Sequence, residues 1–128
     1  MIDKSNYLFT QVKNALGTNI KGASQTYEAS VPVDLPYMFF NQIGNEQTAD
    51  DLSNNENAVN TTIEITFFAS GASKLTTCKN LMAIADEKMR SMGFRRVYGP
   101  TQITNIADTS ICRYMARFSR VIGADDTL

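Results

Sequence analysis

The chain has 128 residues, 43% of them hydrophobic and 20% charged, which predicts one globular domain with a single core. Twelve basic and thirteen acidic side chains leave a net charge of −1. This argues against general nucleic-acid binding, which depends on clustered Lys and Arg. The absence of histidine excludes Ser–His–Asp and Cys–His catalysis, and two cysteines are too few for a disulfide framework.

A first helix is predicted over residues 3–16, because its apolar residues fall on one side at about 100° per residue. Glycine at position 17 ends it, since glycine accepts the left-handed conformation without a Cβ clash. Tyr7 points away from the apolar stripe, and we expect it either to be simply exposed or to contact another chain. No run of the chain reaches the roughly 20 apolar residues of a membrane helix, so no membrane association is expected.

Two strands are predicted next, over residues 24–33 and 35–43, followed by a polar loop over residues 44–57. The loop contains no basic residue, and its acidic residues are Glu46, Asp50, Asp51 and Glu56. Loops of this length in a compact domain are usually functional or disordered. We therefore expect this acidic loop to be mobile until a partner orders it.

A third strand is predicted over residues 58–69, where strict alternation indicates one buried face and one wetter face. A second helix is predicted over residues 73–92, because Leu75, Cys78, Met82, Ala85, Met89 and Met92 form an apolar stripe, which Leu81 widens. Two further strands are predicted over residues 94–103 and 110–122.

The resulting order is α-β-β-β-α-β-β, which predicts an α+β fold with two layers. An antiparallel or mixed sheet of about five strands would carry both helices on one face. The domain would span residues 1–122, and residues 123–128 would form a frayed polar tail. The second sheet face would be free and would carry Glu64, Phe68, Arg113 and Arg117, so it is a candidate contact surface.

No catalytic, cofactor or metal site is predicted. Cys78 and Cys112 are expected to be buried, protonated and inert. The adjacent carboxylates at residues 50–51, 86–87 and 125–126 are expected on solvated surface. The acidic loop lacks the D-x-D-x-D-G pattern of a calcium-binding loop, and neither a Walker motif nor G-x-G-x-x-G is present.

The arginines of the last strand, Arg113, Arg117 and Arg120, have three possible roles: gripping phosphates, pairing with acidic groups of a neighbouring subunit, or forming an ordinary solvated face. Glu64 is a candidate partner within the chain.

Ile84 lies off the apolar stripe of the second helix. Single exposed apolar residues are common, but together with Phe68 and Tyr7 it favours a protein–protein surface.

Three segments carry a resemblance to a known family. They are NAVNTTIEI at residues 57–65, ADEKMRSMGFRR at residues 85–96 and DTSICRYMARF at residues 108–118. Their progression resembles the C-terminal half of the tail-terminator (tail-completion) proteins of long-tailed bacteriophages. The likeness is best over residues 57–120. The N-terminal helix fits more loosely, and the loop over residues 44–57 has no counterpart.

The resemblance implies a non-enzymatic structural protein of the virion tail or neck, assembled in the cytoplasm of a bacterial host, with no cofactor. It implies a homo-oligomeric ring, typically a hexamer, at the head-proximal end of the tail tube. The ring would stop tube polymerisation and bind the tail tube protein and the head connector or head-completion protein. DNA would pass through it without sequence-specific binding.

A ring of this kind needs two different patches per subunit, which we expect on the free sheet face and on the Ile84 side of the second helix. Three alternatives stay open. The first is another phage neck or head–tail joining protein of similar fold. The second is a small non-catalytic cytosolic protein-binding module, and the third is an enzyme that uses only arginines and carboxylates.

Overall fold

The structure is a computed structural model that describes residues 1–26, 34–50, 56–103 and 110–128. Its helices are α1 (Ser5–Leu16) and α2 (Lys74–Ser91), with a 3-10 turn over Gly17–Asn19. The strands of the described part are β1 (Gly22–Ser24), β2 (Tyr37–Asp50), β3 (Glu56–Ser70), β4 (Arg95–Gln102) and β5 (Ile111–Gly123). This order confirms the predicted α+β fold class.

The strands form one mixed sheet in the order β1-β2-β3-β5-β4. β1 runs parallel to β2 over three residues, and the other neighbouring strands are antiparallel. The first strand is thus displaced from its predicted range, which it shares only at Ser24; residues 27–33 lie outside the described part of the chain. The sheet centre is formed by β3 and β5, which pair from Ala58 with Gly123 to Ser70 with Ile111.

Alternation along β3 separates the two faces of the sheet. Ile63, Ile65 and Phe67 are fully buried, whereas Glu64 and Phe68 between and beside them are only half-buried. Successive side chains of a strand point to opposite faces, so one face of β3 lies in the core and the other lies away from it.

Both helices cover the same face of this sheet. The buried residues of α1 and α2 join those of the strands in one hydrophobic cluster. The helix residues of this cluster are Leu8, Val12, Leu16, Cys78, Leu81, Met82, Ala85 and Met89. Phe9 of α1 makes an edge contact with Phe40 of β2, with 5.8 Å between ring centroids. No described helix is both long and apolar enough to cross a membrane.

The predicted polar loop over residues 44–57 is wrong for most of its length. Glu46 and Asp50 belong to β2, and Glu56 is the first residue of β3. The register pairs Glu46 with Asn60 and Asp50 with Glu56, so two of the acidic residues lie opposite each other in a long hairpin. Asp51 lies outside the described residues.

Irregular pairing explains why the sequence pattern did not reveal the second half of β2. The register shifts between Gln42 and Gly44 and again between Gln47 and Ala49. Each extra residue in a strand reverses the side-chain alternation beyond it, so a period of two cannot be followed through the segment. The strand is maintained by hydrogen bonding to β3, which local composition does not report.

The tail over residues 123–128 is not free of the domain. The Tyr7 hydroxyl donates to the carbonyl of Leu128 at 3.0 Å, and Leu128 packs against the core cluster. The Asp126 carboxylate accepts from the backbone N–H of Gly123 at 2.7 Å and from Arg120 at 3.2 Å. The prediction of a frayed tail is therefore wrong. The tail is held by contacts with Tyr7 and Arg120, which no local pattern in the sequence indicates.

Candidate interaction surface

The sheet face opposite the two helices, which we call the open face, combines aromatic, basic and polar side chains. The register across β2, β3, β5 and β4 aligns its members in rows. The central ones are Tyr37, Phe68, Glu64, Arg113, Arg117 and Tyr98. Four predicted contact residues, Glu64, Phe68, Arg113 and Arg117, are thus brought together on one surface.

One group on the open face is built around Arg117. Glu64 of β3 stands directly opposite Arg117 of β5, and Nε of the arginine lies 2.9 Å from Oε2 of the glutamate. The guanidinium also lies over the ring of Tyr98 on β4, 5.2 Å from its centroid. Arg117 therefore binds within its own subunit on both sides, as expected for a cross-strand pair with a cation–π neighbour.

A second group is built around Phe68. Its ring lies between Arg113 of β5, whose guanidinium carbon is 5.6 Å from the centroid, and Tyr37 of β2, whose ring centroid is 6.3 Å away. Nε of Arg113 is buried and has no hydrogen-bond partner among the described residues. A buried donor without an acceptor costs stability, so an acceptor supplied by a bound partner would be favourable here.

Tyr7 and Ile84 do not belong to this surface. Tyr7 lies on α1 and bonds to Leu128, although 44% of it remains exposed. The role of Ile84 in a contact patch stays a prediction, but the residue is half-buried and packs against the core cluster instead of being fully exposed. The physical reason is that α2 contacts α1 as well as the sheet, which widens its buried arc beyond a single stripe.

The two edges of the sheet are features that the sequence analysis missed. On β4, residues 95–99 are all exposed, with Val97 at 48% and Tyr98 at 50%. The sequence contained one indication of this edge, since Gly99-Pro100 inside a strand is typical of an edge position.

On the opposite side, β1 pairs with β2 only over Tyr37–Phe39. From Phe40 to Asp50 no described strand pairs with that side of β2, and Ile43 is 45% exposed there.

The cysteines lie in the core, as predicted. Both are buried, and Sγ of Cys78 lies 3.7 Å from the carbonyl of Phe67 and 3.9 Å from that of Cys112. Burial, with a further contribution from the neighbouring Cys112, raises the pKa of the Cys78 thiol to about 12. Within the described residues, no three acidic or cysteine side chains are grouped closely enough to hold a metal ion.

Comparison with known proteins does not assign the chain to a family. No protein-family model matches it, and no curated protein sequence matches it at a significant level. Within the part of the chain that the structure describes, the open face and the two sheet edges are the candidate contact surfaces.

Proposed function

We propose that this chain is the subunit of a homo-oligomeric ring at the head-proximal end of a long-tailed phage tail tube. There it stops tube polymerisation and joins the tail to the head connector or head-completion protein. The observation that carries the proposal is the exposure of the open face together with both edges of the same sheet. A closed ring built from one kind of chain uses two different patches for neighbouring subunits, and a third surface then remains for an axial partner.

The segments that resemble the tail-terminator family contribute directly to these surfaces. Residues 57–65 lie in β3 and include Glu64, and residues 108–118 reach into β5 and include Arg113 and Arg117. Residues 85–96 end α2 and begin β4. The resemblance thus covers the open face and one sheet edge, which supports a role in assembly.

The charge on the open face suits a ring around a DNA channel. Arg117 is neutralised by Glu64, and Arg113 lies on an aromatic ring. Strong non-specific DNA binding depends on several arginines or lysines free to contact phosphates. A surface whose Arg117 is already paired within the subunit would let DNA pass without holding it.

The proposal is tested with the purified chain and the tail tube protein encoded in the same genome. Light scattering and negative-stain images of the chain are expected to show a closed ring, and polymerising the tube protein in its presence is expected to give shorter tubes with capped ends. A variant on the outer side of α1, Thr10→Glu, serves as a control that should leave both results unchanged. A chain that stays monomeric and does not alter tube length would contradict the proposal.

The same images distinguish a terminator from another neck protein of similar fold. A terminator ring binds the end of the tube, whereas a head–tail joining ring binds the head connector and leaves tube length unchanged.

A further inference from the structure

The β4 edge of the sheet is basic and apolar. Arg95 and Arg96 open the strand, and the half-exposed Val97 and Tyr98 follow them. Arg96 is bound to Asp86 of α2 at 3.0 Å, so Arg95 is the arginine better placed to reach beyond the subunit. An exposed strand edge with apolar side chains is a template for contact with another chain.

The distal β2 edge, which we define as residues 43–48, is acidic and apolar. Ile43 is 45% exposed at a bulge, and Glu46 is exposed three residues after it. No basic residue occurs in this half of β2. Each edge therefore presents exposed apolar side chains together with charge, and the two charges are opposite.

The first half of β4 matches residues 41–44 of β2 in height and direction, whereas the end of β4 is level with the part of β2 that β1 covers. The register places Arg95, Ser119, Thr62 and Gly44 in one row across the sheet. A second row contains Tyr98, Arg117, Glu64 and Asn41. Because β2, β3, β5 and β4 alternate in direction, β4 runs opposite to β2. A second copy set beside the first in the same orientation would thus meet it with antiparallel strands at the same level.

We propose that the β4 edge of one copy docks on the distal β2 edge of a second copy, with Arg95 facing Glu46 and with Val97 and Tyr98 against Ile43. This inference rests on the proposed function, because it identifies the subunit contact of the ring. The contact is heterologous, so repeating it produces a ring or a filament. All open faces then lie on the same side of the wall of subunits.

Backbone pairing across this contact is short. Pro100 has no N–H, and the register of β4 shifts between Arg96 and Tyr98. Both features limit continuous strand pairing at an edge. Side chains of the residues before Gly99 therefore supply most of the contact, which makes it sensitive to charge.

A charge swap tests the pairing of the two edges. Glu46→Arg and Arg95→Glu are each expected to weaken self-association about tenfold or more, because each places like charges across the contact. The double variant restores opposite charges and is expected to recover most of the affinity. Glu87→Arg, on an exposed position of α2, is the matched control and should behave as the original chain. Sedimentation velocity over a concentration series measures the association, and thermal unfolding monitored by circular dichroism shows that each variant is folded.

Disulfide trapping gives a second, geometric test. A chain carrying both Ile43→Cys and Val97→Cys is expected to form a covalent ladder on mild oxidation, because each copy links to two neighbours. The two native cysteines are buried and do not interfere. Chains with only one of the two substitutions can form at most a disulfide dimer. The control pair of Thr10→Cys with Val97→Cys is expected to form no ladder, because residue 10 lies on α1, outside the proposed contact.

The outcomes separate this inference from the proposed function. Rings that persist without a ladder, or whose formation is indifferent to the charge swap, would overturn the edge contact while leaving the ring in place. A disulfide ladder, together with recovered self-association of the double charge-swap variant, supports the edge contact even where tube length is unaffected. An unaffected tube length contradicts only the proposed termination of the tube. Absence of any self-association overturns the edge contact.

Discussion

Replacing Arg117 by glutamate is expected to destabilise the fold by about 2 kcal/mol, independently of any effect on assembly. The Arg117–Glu64 ion pair contributes about 0.5–1 kcal/mol, since the two side chains are 42% and 20% exposed. The contact with the Tyr98 ring contributes about 0.5 kcal/mol at such an exposed site. Two carboxylates directly opposite on neighbouring strands cost about another 0.5 kcal/mol.

Urea unfolding of a set of variants measures these terms. The swapped variant, Glu64→Arg with Arg117→Glu, restores an ion pair and is expected to recover more than half of the lost stability. It does not restore the cation–π contact with Tyr98. A double-mutant cycle with Glu64→Gln and Arg117→Met isolates the pair, and its coupling energy is expected to fall in high salt because exposed charges are screened. Glu87→Arg, at an exposed position of α2, is the control and should stay within about 0.5 kcal/mol of the original chain.

A coupling energy near zero, or one that is indifferent to salt, would refute this account of the open face. The result also decides how an assembly experiment with Arg117→Glu is interpreted. If Arg117→Glu fails to form the oligomeric ring, Arg117 can be assigned to an interface only when the variant is shown to be folded under the same conditions.

Three further predictions concern the core, the thiols and the first helix. Phe40→Ala is expected to lower the free energy of unfolding by about 3–5 kcal/mol in urea, because the ring is fully buried; a loss below 1 kcal/mol would show that this part of the core is misplaced. Cys78 and Cys112 are expected to resist a thiol reagent until denaturant unfolds the chain, since both are buried and the pKa of Cys78 is raised; rapid labelling of the native chain would count against this. The Ser5 backbone N–H donates to the Asp3 carboxylate at 2.9 Å and lowers the pKa of that carboxyl from its ordinary value of 3.8. This hydrogen bond therefore stabilises the fold above pH 3.8, and the stabilisation is lost as the pH falls through the lowered pKa. Asp3→Ala should therefore cost about 0.5 kcal/mol at neutral pH and progressively less in acid, measured by urea unfolding against Asp3→Asn.

The elements with uninterrupted periodicity were predicted from the sequence. The buried stripe of α2 includes Cys78, Met82 and Met89 as expected, and β3 alternates between half-buried and buried residues from Ala58 to Ile65. Both patterns arise from geometry that acts within a few residues, namely 3.6 residues per helical turn and two per strand repeat. The sequence also indicated Glu64 as a candidate partner for the arginines of the last strand, and the structure shows that the arginine it pairs with is Arg117.

The errors share a different cause. The sequence predicts a loop in the second half of β2 because two bulges in this strand interrupt its alternation. The sequence predicts an exposed Ile84 because its partial burial depends on packing between distant segments of the chain. Leu128 and Tyr7 meet only because the chain ends are close in space. In each case the deciding contact joins residues that are distant in sequence.

The sequence by itself therefore determined the helices, the central strands and the side of each that is apolar, since those properties are set by neighbouring residues. Only the tertiary structure decided that β1 lies beside β2, that β4 and the distal half of β2 form opposite edges, and that these edges carry opposite charge at the same level. Strand order and register depend on hydrogen bonds and packing between distant segments, and no local pattern encodes which segments will meet.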